Sequence, residues 1–151
     1  MSTTIRIQTE PFDLAAEVAA LSAGAGAVAT FTGQVRGEDG IDALILEHYP
    51  GMTEREIARH IEEARRRWSL GGVTVIHRVG ELKPGEAIVL VAVAAAHRGE
   101  AFRACEFLMD HLKSSATFWK QERRAGALTW VEARHSDGLA AARWKKLDQP
   151  R

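Results

Sequence analysis

One short stretch of the chain carries a histidine–arginine pair, His97-Arg98, and two lysines, Lys113 and Lys120, while a further cation, Arg36, stands far upstream. These residue types suit an anionic substrate. The free N–H groups and dipole of a helix N-terminus attract anions. Arg98 at such an end offers a forked set of donors that matches phosphate. A lysine supplies a point charge, and where it is desolvated or crowded by other cations it can serve as base or nucleophile. Each cation also has a plain structural use. Lys113 at a helix C-terminus complements the dipole without any function. His97 can cap the helix that follows, and Arg36 can be a solvated strand end. Phe118-Trp119, next to Lys120, fits either core packing or an aromatic wall beside a flat heterocycle.

Hydrophobic periodicity supplies the elements that must position these groups. Ile5-Arg6-Ile7 alternates as a short strand. Asp13 is an N-cap for a helix over Leu14 to Leu21. Ala27 to Val35 reads as a strand ending at Arg36, and Ile41 to Tyr49 as a second one. With the turn Gly37-Glu38-Asp39-Gly40 between them, a hairpin is expected. Thr53 and Glu56 have capping-box spacing ahead of an amphipathic helix to Trp68. Val73 to Val79 is a strand, Lys83-Pro84-Gly85-Glu86 a turn, and Ala87 to Ala95 a strongly apolar, central strand. A second amphipathic helix spans about Gly99 to Lys113, with Phe102, Cys105, Leu108 or Met109, and Leu112 on its buried face. Thr117-Phe118-Trp119 is extended, Leu128 to Ala133 is a strand, and Ser136-Asp137-Gly138 caps a terminal helix. Strands joined by hairpins favour an α+β fold over a doubly wound sheet. The Arg65-Arg66-Arg67 run reads as an exposed helix face, Cys105 as core, and His77-Arg78 as a structural strand end.

Bulk composition removes several classes. The chain has 151 residues, suited to one domain over 1–151, with 46% apolar and 26% charged residues. Twenty basic and 20 acidic residues cancel, so a nucleic-acid coat is not expected. A single cysteine excludes an intramolecular disulfide, and the six histidines lack metal-ligand helical spacing, so no metal is expected. No apolar run reaches membrane length and no signal-peptide core is present, which makes cytoplasmic residence the expectation. There is no P-loop, nucleophile elbow or His-Glu-x-x-His motif.

Longer blocks of sequence go further. Phe31-Thr32-Gly33-Gln34-Val35-Arg36, Leu46-Glu47-His48-Tyr49-Pro50-Gly51-Met52-Thr53-Glu54 and Val75-Ile76-His77-Arg78-Val79-Gly80-Glu81-Leu82 occur in that order. They are followed by Ala96-His97-Arg98, Met109-Asp110, Leu112-Lys113, Phe118-Trp119-Lys120-Gln121-Glu122 and Trp130-Val131-Glu132-Ala133-Arg134. Together they resemble the large, catalytic subunit of molybdopterin synthase over nearly the whole chain. The resemblance implies an α/β-hammerhead fold with antiparallel strands and two main amphipathic helices. It also implies a homodimer of large subunits within a heterotetramer. Each large subunit would bind a small ubiquitin-like sulfur carrier whose Gly-Gly tail ends in a thiocarboxylate.

The implied activity is sulfur transfer from that tail to cyclic pyranopterin monophosphate, making the molybdopterin dithiolene without metal or organic cofactor. Carried over by position, Arg36, His97 and Arg98 match the phosphate pocket, with Gln34 and Val35 adjoining. Lys113 and Lys120 match the catalytic lysines, and Gln121 and Glu122 further substrate contacts. The implied pocket is shared across the dimer, so His97 and Arg98 can serve the neighbouring subunit. One departure is Thr117, where the family commonly has a proline that would stiffen the segment. The competing readings are a non-catalytic anion- or nucleotide-binding dimeric module and a dimerisation scaffold.

Overall fold

The computed structural model describes residues 2–37, 40–115, 118–131 and 135–146. The chain runs β1 (Thr3–Gln8), α1 (Leu14–Ser22), β2 (Ala27–Gln34), β3 (Ala43–His48), α2 (Met52–Arg67) and β4 (Val73–Arg78). It continues through β5 (Gly80–Leu82), β6 (Ala87–Ala95), α3 (Arg98–Ser115), β7 (Phe118–Arg124), β8 (Ala127–Val131) and α4 (His135–Lys146). Two four-stranded sheets result, ordered β1-β4-β6-β2 and β5-β3-β7-β8. Every strand pair is antiparallel except β1 with β4.

Strand β6 is central because it is apolar on both faces. Val89, Val91, Val93 and Ala95 pack with Ile57, Ile61 and Ala64 of α2 and with Ala104, Phe107 and Leu108 of α3. Leu90, Ala92 and Ala94 face the other way, onto Leu21 of α1. A period of two thus builds two cores from one strand. A third core, Val35, Leu44, Leu46 and Leu82, lies on the inner side of the second sheet.

Several local expectations are corrected. β2 and β3 do not form a hairpin: β2 pairs with β6, and β3 with β5 and β7. The chain leaves one sheet and enters the other between them. The cap of α2 sits two residues earlier than the Thr53/Glu56 box. Gly51, at φ 86°, is the N-cap and its N–H donates to the Glu54 carboxylate at 3.2 Å. Thr53 is fully buried and its hydroxyl accepts from the Tyr49 N–H, while Glu56 pairs with Arg59.

Phe102 is 64% exposed, not on the buried face of α3, where Ala101, Ala104, Cys105, Phe107 and Leu108 lie. Of the arginine run only Arg66 is a solvated side chain. Arg65 donates to the carbonyls of Ser2 and Gly71, and Arg67 to that of Trp144. Cys105 is core, and burial pushes its thiol up to about 11. The expected turn residues Glu38 and Asp39, together with Thr117, Glu132, Ala133 and Arg134, lie outside the described residues.

Candidate active site

The end of β4 fixes the site. Arg78 is buried and its guanidinium donates to the carbonyls of Thr9 and Ala87, which ties the strand end to the start of β6. Its neighbour His77 is also buried, and His77 Nδ1 donates to the Arg78 carbonyl at 2.8 Å. That bond assigns the ring proton to Nδ1 and leaves the lone pair on Nε2. The His77 ring stacks on Phe118, with centroids 3.9 Å apart and planes 21° apart. Phe118 is the first residue of β7, so the stack joins the two sheets.

Register along β7 then orients the rest. Phe118 is opposite His48, Lys120 opposite Leu46, and Glu122 opposite Leu44. Lys120 and Glu122 therefore share the inner face with the buried Leu44 and Leu46. Trp119 and Gln121 alternate to the outer face. There the Trp119 indole donates to Glu47 at 3.0 Å and meets Tyr49 edge-on at 4.4 Å. Glu122 holds Arg124 at 2.7 Å. Lys113 projects from the last turn of α3 and is exposed.

The charges of both lysines act on His77. Burial pushes its imidazole down to about 4. The backbone hydrogen bond opposes that shift, and the positive charges of Lys120, Lys113 and His48 add to it. The two lysine charges that act on this ring come from different elements, α3 and β7.

Gln34-Val35-Arg36 lies at the same end of the sheet. Gln34 pairs with Ala87 across an irregularity at Gly33/Gln34, while His77 pairs with Val89. Val35 is 5% exposed, inside the third core, and its N–H and C=O bond Glu86 and Gly85. Its contribution here is placement: it anchors Gln34 and Arg36, both exposed, on either side.

His97 and Arg98 stand elsewhere. They follow the far end of β6, and nine residues of strand separate the two ends by roughly 27 Å. α3 returns over a similar length, about 27 Å for its 18 residues, and carries Lys113 back to the first end. Both His97 and Arg98 are exposed, and the His97 carbonyl accepts from the Ala101 N–H in the first turn of α3. Within one chain, then, Gln34, Arg36, Lys113, Lys120 and Glu122 gather at one end and the His97-Arg98 pair at the other. His77 and His48 were not singled out as site residues by sequence, because a histidine ending an apolar strand looks like any other strand end, whereas Phe118 was read as either core or an aromatic wall.

Among the described residues no group of three histidine, cysteine, aspartate or glutamate side chains could hold a metal, and no helix is long and apolar enough to cross a membrane. The cavity under α2 and α3 is lined by Ile57, His60, Val75, Val91, Leu108 and Leu112, which makes it a gap in the core and not a substrate pocket.

Fold and site together define an α+β protein of two four-stranded sheets with lysine and arginine side chains at one end of them. Comparison with known proteins gives that class a family. The family described as MoaE protein matches residues 7–115. A molybdopterin synthase catalytic subunit of Ralstonia nicotianae is 56% identical, over 93% of this chain and 84% of that protein. One of Escherichia coli is 58% identical, over 79% and 81%. The solved structure of a molybdopterin biosynthesis MoaE protein from Burkholderia ambifaria superposes with a TM-score of 0.82 at 52% identity, covering 96% of this chain and 99% of that one. The chain belongs to the MoaE family, that of the molybdopterin synthase catalytic subunits.

Proposed function

We propose that Lys113 and Lys120 form the reaction centre of a sulfurtransferase, where the thiocarboxylated Gly-Gly tail of a small ubiquitin-like subunit meets cyclic pyranopterin monophosphate. Family membership carries the reaction and favours it over a non-catalytic anion- or nucleotide-binding module. The residue assignment rests on one placement: α3 carries Lys113 in its last turn just ahead of β7, where Lys120 shares a face with Phe118, whose ring stacks on His77.

The chemistry suits cations. The thiocarboxylate is an anion and is drawn to Lys113. Its sulfur attacks a side-chain carbon of the pterin, forming a C–S bond as the C–O bond to the cyclic phosphate breaks and negative charge builds on the departing oxygen; water then cleaves the thioester, leaving the sulfur on the pterin and a carboxylate on the tail. Ammonium and guanidinium groups fixed near that charge stabilise it most where water is excluded. Lys113 acts as general base or stabilises the acyl intermediate. Lys120, on the inner face, positions the pterin and stabilises charge, with Gln34, Arg36, Gln121 and Glu122 around it. Since Gln121 lies on the outer face of β7, its contact is made from that side.

The separation of His97 and Arg98 from the lysines supports a pocket completed by a second copy of the chain, whose His97-Arg98 pair grips the phosphate. The working particle is then a homodimer of these single-domain subunits, with one small subunit on each. Cytoplasmic residence is part of the same proposal, and cell fractionation checks it.

The test is reconstitution of purified protein with a thiocarboxylated small subunit and the cyclic precursor, with dithiolene product as the readout. Lys113→Ala is expected to abolish most of the product. Unchanged product with Lys113→Ala would remove Lys113 from the chemistry, and no product from the intact protein with a competent small subunit would return the chain to a binding role.

A further inference from the structure

We infer that His77 is a positioning residue of the lysine centre: its ring is the platform on which Phe118 stacks, and that stack sets where Lys120 stands relative to Lys113. The inference deepens the assignment of the two lysines and rests on it. Lys113 is in the last turn of α3, and Lys120 is the third residue of β7, so a short connection separates them. Phe118 is the first residue after that connection; its ring stacks on His77, 3.9 Å between centroids, and packs against the core that β4 and β6 share. Phe118 and Lys120 are two apart on one strand and share its inner face. Anchoring one therefore fixes the other's backbone to within a single strand repeat.

The platform is itself held from behind. The Nδ1–H bond to the Arg78 carbonyl fixes the ring plane, and Arg78 is buried and bonded to Thr9 and Ala87. A flat, uncharged ring is the group that can occupy this place. The titratable side chains acting on it are Lys120 from β7, Lys113 from α3 and His48 from β3, and a cationic side chain there would repel the lysines it must hold close. His48 lies further from Phe118, at 6.4 Å and 34°, so it borders the stack without forming it.

The experiment compares two apolar replacements in the reconstituted heteromeric enzyme. His77→Phe keeps a flat ring, and His77→Leu fills space without one. A misplaced reacting group can cost about a hundred-fold, so His77→Leu is expected to lower kcat by roughly ten- to a hundred-fold with KM for the cyclic precursor nearly unchanged. His77→Phe is expected to recover kcat to within about three-fold of the parent. Pure space filling would let both variants keep full activity, and loss of the hydrogen bond alone would make both fall together; either result overturns the inference. Should both replacements fail to fold, Phe118→Leu removes the stack from its other side, and a parental kcat there overturns it equally. Lys113→Ala is run alongside. A dead Lys113→Ala with a fully active His77→Leu sinks only the platform, whereas a fully active Lys113→Ala sinks the lysine centre and the platform with it.

Discussion

At the first residue of β6 the chain gathers Gln34, Arg36, Lys113, Lys120 and Glu122 around the buried His77–Phe118 stack; at the last it presents His97 and Arg98 to solvent. Both ends are cationic, but only the first is supported from below. Its strand ends are clamped by Arg78, its aromatic platform crosses between sheets, and Val35 is sunk into a core. The second end has helix-terminus chemistry and little else on its own chain. A supported centre can hold reacting groups to the tolerance that catalysis needs. An exposed pair suits gripping something brought to it, and the shared pocket proposed above gives it that task.

The largest expected effect is at the supported end. Lys113→Ala is expected to lower kcat by about a hundred- to a thousand-fold in the dithiolene assay, the scale for losing one preorganised charge stabiliser. Next comes the unsupported end. Arg98→Ala is expected to act mainly on KM for the cyclic precursor, raising it about ten- to a hundred-fold, as for one charged hydrogen bond. Assayed at precursor concentrations well below the raised KM, mixing Arg98→Ala with Lys113→Ala subunits after dimer exchange should restore activity above that of either variant alone. Failure to restore it breaks the two-ended picture, because both residues would then have to serve one site within one chain.

Acid should weaken the supported end through its buried imidazoles. Burial lowers His77 to about 4, and burial with nearby His111 lowers His60 to about 4, against 6.5 in the unfolded chain. The unfolded chain therefore takes up these protons first. Unfolding free energy should be flat in their account above pH 6.5 and fall as pH drops toward 4, by at most about 3 kcal/mol per histidine. Urea midpoints between pH 7.5 and 5 measure this, and His60→Leu should reduce the slope.

The smallest effect concerns Phe102, on α3 near the unsupported end. Phe102→Ser is expected to change the subunit's unfolding free energy by under about 0.5 kcal/mol, where Phe107→Ala, in the core, should cost about 3–5 kcal/mol. A large loss at Phe102 in the isolated subunit would mean that this end is better supported than its exposure indicates.

How much of this was legible beforehand follows from the range of the forces. Periodicity and turn chemistry are local, so the elements, the α+β class, the central place of Ala87–Ala95 and the Asp13 cap could be read from residues a few positions apart. The Lys113 and Lys120 positions, with His97-Arg98, were legible as family blocks. What the sequence alone could not decide was pairing and burial between distant segments. β2 and β3 look like a hairpin because their turn is local, yet each pairs within a different sheet with strands far away in sequence. Phe102 looks like core because it is apolar, yet the face of α3 that meets β6 is set by packing around Ala101, Ala104 and Phe107. His77 looked structural because nothing in its neighbourhood along the chain shows the ring of Phe118, 41 positions on, lying flat against it. The stretch from His97 to Lys120 is continuous in sequence, and its helical pattern already sets the His97-Arg98 pair and Lys113 at opposite helix ends. The tertiary structure divides it, because an 18-residue helix is rigid and long enough to carry its two ends to opposite edges of a sheet.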